Sequence, residues 1–424
     1  MKEILFCYGK GKMKGCFEDD RLVGVLQSHL HSYIPQDSEV ELVKKAIENP
    51  IGSDRLCNLV KGKKNIVIIA SDHTRPVPSR IIMPLLLEEI RKGEPNSDIK
   101  ILIATGCHRG TTKDELIAKF GEEIVENEQI VIHDCLDSEH MVSLGTLPGG
   151  GELMVNELAV NADLLVAEGF IEPHFFAGFS GGRKSVLPGV ASRNTVLANH
   201  CADFIGHPNS RTGILDGNPI HADMIYAAKK ANLKYILNVI LGAEKQILHA
   251  VAGDCDLAHK AGVEFLNRYA RVDAIPADIA ISTNGGYPLD QNIYQAVKGM
   301  TAAEATVKDG GVIIMLASST DGHGGQSLYD TFKNEPSNEV LAKQFAATPP
   351  EKTIPDQWQA QIFVRIMQKY HVIYISEADD QIIRDFHMIP AHSIEEAMNI
   401  ADELLGYKGT VTAIPDGISV IVRK

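Results

Sequence analysis

The chain lacks the features that mark membrane and secreted proteins. No stretch of its 424 residues approaches the roughly 18 consecutive apolar residues that a membrane helix needs. The apolar run within Met1–Tyr8 is too short for a signal peptide, so we expect a cytoplasmic protein. An excess of acidic residues gives a formal net charge of −14. This charge argues against a nucleic acid or an anionic membrane as the partner, because both reward a basic surface.

The ligand patterns of common zinc sites are missing as well. The chain contains no C-x-x-C and no H-E-x-x-H, so a zinc hydrolase would lack its usual ligand spacing. The cysteines are scattered and odd in number, which is typical of reduced thiols in a cytosolic enzyme. They are Cys7, Cys16, Cys57, Cys107, Cys135, Cys201 and Cys255. Cys107 and Cys201 each adjoin a histidine, and we interpret both as packing residues.

Apolar runs alternate with helical patterns over most of the chain. A hydrophobic content of 44% with 23% charged residues is typical of a globular protein, and the length suits two domains. Nearly continuous β-branched and leucine runs predict buried parallel strands with helices on both faces. The predicted strands are 65–70, 100–104, 130–133, 163–167, 235–240, 277–281, 311–316 and 371–375. We therefore predict an α/β fold with two doubly wound, mainly parallel-sheet domains.

The domain limits follow from this series. We predict an N-terminal α/β domain over residues 1–270 and a C-terminal α/β domain over residues 271–407, with 271–276 as the linker. The tail, 408–424, is expected to pack back on the N-terminal domain. Its two apolar runs, 410–414 and 418–422, are consistent with a hairpin.

Polar, glycine-rich loops directly follow the predicted strands. In open parallel sheets ligands bind beyond the carboxyl ends of the strands. The pattern therefore predicts that the loops of both domains meet in one interdomain cleft that forms the active site. The loops are 71–75, 105–109, 169–184, 282–292 and 318–325.

The segment His174–Ser185 is the most unusual of these loops. It combines a histidine, three glycines and the pair Arg183-Lys184. Glycine N–H groups can form an anion-binding concavity, and the pair adds positive charge, so the segment predicts a phosphorylated ligand. It departs from the phosphate-binding loop G-x-x-x-x-G-K-[ST], because Arg183 stands where the second glycine belongs. An ordinary ATPase or GTPase is therefore not indicated.

This segment resembles the signature of the nickel-dependent lactate racemase family. The similarity continues through Lys184–Gly189 to Ala198–His200, and it covers nearly the whole chain beyond about residue 50. Further similar blocks are Ser71–Pro76, Thr105–Arg109, Ser282–Gly299 and Pro355–Trp358.

The resemblance implies a cofactor and an acid–base pair. His108 and His174 would be the catalytic histidines on opposite faces of the substrate, and histidine suits proton transfer near neutral pH. The cofactor would be the nickel pincer nucleotide, a pyridinium-3-thioamide-5-thiocarboxylic acid mononucleotide with nickel, covalently attached at Lys184. His200 would be the protein ligand to the metal, and neutral imidazole suits nickel.

The remaining site residues are assigned in the same way. Arg75 and Lys298 would bind the substrate carboxylate, and Gln295 shares a helix face with Lys298. The further residues predicted to bind the substrate are Tyr294 and Trp358. Those predicted to contact the cofactor are Asp72, Ser180, Gly181, Gly182 and Arg183. Asp72 is also expected to orient Arg75 or a histidine, and the loop Asp321–Gly325 is expected to act as a lid or cleft wall.

The resemblance implies a racemase that interconverts D- and L-lactate by hydride transfer through pyruvate. Separate maturation proteins would supply the cofactor. Three alternatives stay open at this point. The first is a racemase or epimerase of another 2-hydroxy acid. The others are a non-redox protein that binds a nucleotide or phosphate and a metal-dependent hydrolase built on His108, His174 and His200.

Overall fold

The computed structural model describes residues 1–423. The chain forms two compact units. The first unit comprises Leu30–His200 and His207–Arg268. The second unit comprises Met1–His29, Cys201–Gly206 and the residues from Tyr269 onwards. No helix in residues 1–423 has the length and apolar character required to cross a membrane.

Twenty strands occur within residues 1–423. They are β1 Lys2–Tyr8, β2 Gly11–Phe17, β3 Leu22–Val25, β4 Asn65–Ser71, β5 Asp98–Ala104, β6 Gln129–Ile132, β7 Met141–Thr146, β8 Glu152–Asn156, β9 Leu164–Phe170, β10 Pro173–His174, β11 Gly178–Phe179, β12 Leu233–Leu241, β13 Ile247–Gly253, β14 Arg271–Asp273, β15 Ala277–Thr283, β16 Val307–Leu316, β17 His371–Ile375, β18 Ile389–Ala391, β19 Val411–Ile414 and β20 Ile421–Arg423.

Sixteen α-helices occur in the same part of the chain. They are α1 Glu39–Glu48, α2 Leu56–Leu59, α3 Ser79–Gly93, α4 Lys113–Phe120, α5 Glu122–Asn127, α6 Glu157–Val160, α7 Arg193–Asn199, α8 Ala202–Gly206, α9 Pro219–Lys230, α10 Leu257–Ala270, α11 Ile293–Glu304, α12 Gln326–Asn334, α13 Asn338–Ala346, α14 Gln357–Met367, α15 Asp380–Asp385 and α16 Ile394–Leu405. Gly182–Ser185 forms a short 3-10 turn.

The first unit is built on a six-stranded sheet in the order β13-β12-β9-β4-β5-β6. All neighbours are parallel except β13, which pairs antiparallel with β12. Every residue of β9 is buried, and so are the five central residues of β4. Helix α3 covers this sheet with residues spaced by one turn, among them Ile82, Leu86 and Ile90. The continuous apolar runs are therefore explained by burial on both faces of the sheet.

The second unit is built on a six-stranded parallel sheet in the order β18-β17-β16-β15-β19-β3. The structure thus confirms the mixed α/β class with mainly parallel sheets. In α4 a capping box explains the start: the Thr112 side chain accepts from the backbone of Glu115, and the Glu115 side chain accepts from the backbone of Thr112.

The predicted hairpin at the end of the chain is wrong. Strand β19 lies between β15 and β3 and is parallel to both, while β20 pairs in parallel with β14. The backbone N–H and C=O groups of β19 are therefore hydrogen-bonded to strands far away in sequence. Both edges of β19 are occupied, so β20 cannot pair with it. Part of the predicted linker, Arg271–Asp273, is strand β14.

Candidate functional site

Three of the predicted loops lie side by side in the first unit. Strands β9, β4 and β5 are adjacent and parallel, so their carboxyl ends meet at one edge of the sheet. Asp72 follows β4, and His108 lies four residues after β5. The Gly106 N–H donates to the Gly189 carbonyl at 3.0 Å, which joins the loop after β5 to the segment after Lys184. The edge of the sheet thus assembles much of the predicted site from distant parts of the sequence.

Asp72 and His108 form a hydrogen-bonded pair. The Asp72 carboxylate is 1% exposed, and its Oδ2 lies 2.7 Å from His108 Nδ1. Thr74 Oγ1 donates to Asp72 Oδ1 at 2.7 Å, and the Arg75 guanidinium donates to Thr74 Oγ1 at 2.9 Å. Asp72 is thus hydrogen-bonded to a histidine, and Thr74 connects it to Arg75; its orienting role stays a prediction.

The charge on Asp72 determines the tautomer of His108. Burial raises the pKa of Asp72, but hydrogen bonds from His108 and Thr74 and the positive charge of Arg75 lower it more, so the net pKa lies below its usual value. An ionised carboxylate only accepts hydrogen bonds, so His108 Nδ1 carries the proton. In a neutral His108 ring Nε2 is then an acceptor, which is the state that a general base requires.

Phe176 brings three further site residues together. Its ring centroid lies 4.5 Å from that of His174 and 5.1 Å from that of His200. The Lys184 Nζ lies 5.8 Å from the same centroid. The predicted acid–base histidine, attachment lysine and metal ligand therefore surround one phenyl ring. Phe176 lies inside the motif that carries the family resemblance, yet its role as a common neighbour was not predicted.

The two histidines beside Phe176 differ in character. Burial, and then the charge of Lys184, lower the pKa of His200 to about 3, so its imidazole is neutral at physiological pH. His174 is half-buried, and its Nδ1 accepts from the Ala177 N–H at 3.3 Å. A neutral His174 ring therefore carries its proton on Nε2. In this arrangement His174 is a donor at Nε2 while His108 is an acceptor there.

Arg183 is fully buried and serves the glycine loop itself. Its guanidinium also lies 3.0 Å from His259 Nε2. The acceptors of its N–H groups are the carbonyls of Ala177 at 2.9 Å, Ser180 at 3.2 Å and Gly181 at 3.2 Å, and His221 Nδ1 at 3.1 Å. Arg183 thus holds the loop together, and its predicted contact with a cofactor stays a prediction.

Three backbone N–H groups of the glycine loop donate to acceptors within the protein. The Ser180 N–H donates to the Glu172 carbonyl at 3.0 Å, and the Lys184 N–H donates to the Gly181 carbonyl at 3.2 Å. The Gly182 N–H donates to Asn238 Oδ1 at 2.7 Å. The glycines allow a tight backbone turn. Gly181 has φ +76°, and a Cβ at this position would lie 2.7 Å from the Phe170 carbonyl oxygen. Cofactor contacts of Ser180, Gly181 and Gly182 stay predictions.

The buried histidines beside Arg183 predict sensitivity to acid. Burial and the Arg183 charge lower the pKa of His221 from 6.5 to about 4, and the same causes lower the pKa of His259. Below pH 6.5 these two histidines therefore bind protons in the unfolded chain, whereas in the folded chain they stay neutral until the pH is lower. The free energy of unfolding should fall as pH drops from 6.5 towards 4, by up to about 1.4 kcal/mol per pH unit for each histidine.

Urea unfolding followed by far-ultraviolet circular dichroism at pH 7, 6 and 5 measures this dependence. The His221→Gln variant keeps an acceptor for Arg183 but has no titrating ring, so its stability should change less with pH. A variant with the same slope as the parent protein would contradict this origin of the acid sensitivity.

The predicted substrate residues of the second unit lie on two helices. In α11, Tyr294 donates from its hydroxyl to Asp356 Oδ1 at 2.7 Å, and its carbonyl accepts from the Gln359 side chain at the start of α14. Gln295 and Lys298 are half-buried on α11. Within residues 1–423 the buried Gln295 Oε1 has no hydrogen-bond partner, which leaves it available to a ligand.

Helix α11 lies unusually close to its sheet. A Cβ added to Gly299 would lie 2.3 Å from the Thr283 carbonyl on β15, so only glycine permits this approach. The Ser282 hydroxyl donates to the Gly299 carbonyl at 2.8 Å. The half-buried Trp358 belongs to α14. The loop Asp321–Gly325 contacts α11, because the Tyr294 N–H donates to the His323 carbonyl at 3.1 Å.

The donor set of the first unit fits the implied cofactor. Among the residues described, no group of three or more His, Cys, Asp or Glu side chains is arranged to hold a metal ion. A pincer ligand would supply most donors of its own metal and require only one imidazole from the protein. The neutral His200 imidazole and the Lys184 amine, both near Phe176, would supply the nitrogen ligand and the attachment point.

Several residues of this region were not predicted. Thr74, Phe176 and His221 carry no sequence pattern that separates them from ordinary neighbours. Asn238 carried a usable signal, because it is a buried polar residue in the otherwise apolar strand β12. A polar residue in such a strand needs a hydrogen-bond partner, and here the partner is the glycine loop.

Comparisons with known proteins cover nearly the whole chain. A family model of the lactate racemase N-terminal domain matches residues 8–213, and one of the lactate racemase C-terminal domain matches residues 272–422. The lactate racemase of Thermoanaerobacterium thermosaccharolyticum is 55% identical over 425 residues, covering 100% of both chains. The lactate racemase of Lactiplantibacillus plantarum is 53% identical over 417 residues, covering 98% of both.

Solved structures agree with the fold. The lactate racemase apoprotein from T. thermosaccharolyticum superposes with a TM-score of 0.97 at 55% identity over 100% of both chains. A protein from Thermotoga maritima gives a TM-score of 0.65 at 18% identity, covering 92% of this chain and 100% of its own. At that identity the second likeness concerns the fold alone.

Proposed function

Because this chain belongs to the lactate racemase family, and so to the isomerases, we propose that it interconverts D- and L-lactate. The observation that carries the proposal is the full-length identity of 55% to a lactate racemase. The placement of His174, Lys184 and His200 around Phe176 supports it, as does the Asp72–His108 pair. The cytoplasmic location expected from the composition is part of the same proposal.

The two histidines would handle the hydroxyl proton of the substrate. In one direction His108 Nε2 accepts the proton of the lactate hydroxyl, and the Asp72 carboxylate stabilises the imidazolium that forms. Pyruvate results once hydride has also left the α-carbon. It turns over in the site, and when hydride returns to its other face its oxygen receives a proton from His174 Nε2. The opposite enantiomer would use the histidines in the opposite order, starting with His108 protonated and His174 unprotonated at Nε2. Arg75 and Lys298 would hold the carboxylate throughout, and Gln295, Tyr294 and Trp358 would contact the substrate.

His200 and Lys184 would hold the cofactor. His200 would bind nickel through its neutral imidazole, and the Lys184 amine would attach the nickel pincer nucleotide covalently. When bound, this cofactor supplies the acceptor and donor of hydride that the reaction needs. Asp72 and the segment Ser180–Arg183 are proposed to lie against it. Maturation proteins that synthesise the cofactor are the partners we propose.

The test is to produce the chain together with cofactor-making enzymes and to follow intact mass, nickel content and racemisation. We expect a mass gain of one cofactor, bound nickel, and conversion of either lactate enantiomer into the mixture. Lys184→Ala should lose the mass gain, whereas Lys234→Ala, which removes an exposed lysine of the same unit, should keep it.

The outcomes separate the alternatives. Racemisation rates should be measured on a panel of 2-hydroxy acids. If lactate is a poor substrate and another acid a good one, the proposed substrate changes while the reaction stays the same. Tight binding of a nucleotide, without racemisation and without any effect of His108, His174 or His200 variants, would overturn it in favour of a non-redox nucleotide-binding protein.

A further inference from the structure

Two cysteine thiols meet beside His108. Cys107 is exposed and directly precedes this histidine, and Cys135 is half-buried in the next loop. Their side chains share a hydrogen bond. Neither belongs to a disulfide in the structure. The sequence separates them by 27 residues and shows no C-x-x-C, so only the fold reveals the pair.

The pairing of β5 and β6 explains why the thiols meet. The two strands are parallel neighbours, with Ile103 opposite Ile132. The loops that follow are joined at their bases, because Thr105 Oγ1 donates to the His133 carbonyl at 2.7 Å. Cys107 and Cys135 lie four and three residues beyond the paired isoleucines, and so occupy corresponding places in adjacent loops.

Each thiol lies within a tight turn. The first turn is closed by the His108 N–H, which donates to the Thr105 carbonyl at 3.0 Å, and Gly106 within it has φ +55°. The second is closed by the Asp137 N–H, which donates to the Asp134 carbonyl at 3.2 Å. Short turns that are anchored at their bases hold the two side chains near each other and limit the entropy lost on crosslinking.

The surroundings of Cys135 favour thiol chemistry. Its pKa is lowered chiefly by the hydrogen bond from Cys107; burial and Asp134 oppose this effect, while Arg193 adds to it. The thiolate is the form that attacks a disulfide sulfur. The exposure of Cys107 gives a small oxidant access to the pair.

We propose that Cys107 and Cys135 form a reversible disulfide when they meet a small disulfide oxidant. One thiolate attacks a sulfur of the oxidant, forms a mixed disulfide and releases one small thiolate. The second cysteine then attacks the protein sulfur of that mixed disulfide and releases the second small thiolate. Two protons leave the cysteines, and two electrons reduce the oxidant to two thiols, so the exchange balances.

The crosslink would shift His108, because the turn that carries this residue lies between the loops that carry Asp72 and Cys135. In the sheet, β5 lies between β4 and β6. Asp72 follows β4, on one side of the His108 turn, and Cys135 follows β6, on the other. A bond to Cys135 draws the turn away from Asp72 and strains the 2.7 Å hydrogen bond between Asp72 and His108. This consequence rests on the proposed function, whereas the disulfide itself does not.

The first test uses the cofactor-loaded protein and oxidised glutathione as the probe. After blocking of residual thiols, peptide mapping without reduction should find a Cys107–Cys135 crosslink that dithiothreitol removes. Cys135→Ser should lose it, and Cys16→Ser, which changes an exposed thiol of the second unit, should keep it. Glutathione modification of Cys16 without any Cys107–Cys135 crosslink would overturn the proposal.

The second test measures racemisation before oxidation, after it and after reduction. We expect a loss of about tenfold or more on oxidation, because small misplacements of a catalytic group are costly, and recovery with dithiothreitol. The Cys135→Ser variant should start at the parent rate and resist the oxidant. A mapped crosslink with unchanged racemisation would overturn the effect on His108. A mapped crosslink in protein that never racemises lactate would instead count against the proposed function.

Discussion

Replacing His108 or His174 by alanine is expected to abolish lactate racemisation in both directions. A positioned general acid or base contributes about 10²- to 10⁴-fold, and a racemase needs one such group for each enantiomer. Loss of either histidine should therefore reduce the rate from D-lactate and from L-lactate alike. Initial rates from each enantiomer, with cofactor content measured in the same samples, check this result.

The control for this prediction is His392→Ala, which removes an exposed histidine of the second unit. A further arm tests the Asp72–His108 pair. If Asp72 acts through His108, adding Asp72→Asn to His108→Ala should cost little beyond the single replacement, because the two residues then act as a unit. Full racemisation by both alanine variants, with cofactor bound, would remove the histidines from the mechanism.

Replacing Arg183 by methionine is expected to destabilise the first unit severely. The substitution relieves the cost of burying a charge, but it removes the donor of the Ala177 carbonyl and of the His221 imidazole. The Ser180 and Gly181 carbonyls keep a partner in His259 Nε2 and the Lys184 N–H, respectively. Each buried acceptor left unsatisfied costs about 1–3 kcal/mol, so we expect a net loss of about 2 kcal/mol or more. Because the loop carries Lys184, cofactor attachment should fall as well.

Urea unfolding distinguishes the two units in this experiment. The single tryptophan, Trp358, lies in the second unit, so its fluorescence reports that unit, while far-ultraviolet circular dichroism reports both. The Arg183→Met variant should show an early dichroism transition that the fluorescence does not follow. Arg268→Met, which changes an exposed arginine of α10, is the matched control. Equal midpoints for the two variants would show that the contacts of Arg183 contribute little.

The fold class could be predicted from the sequence because buried parallel strands leave a strong local signal. Runs such as Ile66–Ala70 and Leu164–Ala167 have no polar face, which only burial on both sides of a sheet allows. Helix α4 likewise begins at a local signal, the capping box of Thr112 and Glu115. The predicted hairpin at the end of the chain was wrong because strand pairing, unlike strand formation, leaves no local signal. An apolar run shows that β19 is a strand but carries no information about β3, almost 400 residues earlier, beside which it lies.

The sequence by itself determined which residues we propose to carry chemistry, because the histidines, Lys184, Arg75 and the glycine turns stand in motifs that local patterns and family resemblance make visible. Tertiary structure alone decided what each of them contacts. From the sequence, Arg183 is predicted to bind an anionic ligand. In the structure it is buried, and its N–H groups donate to protein carbonyls and His221. Phe176 and the Cys107–Cys135 pair acquire their neighbours only when β5, β6 and β9 come together in one sheet. Residue type and spacing are local properties, whereas hydrogen-bond partners and burial depend on chain segments far apart in sequence.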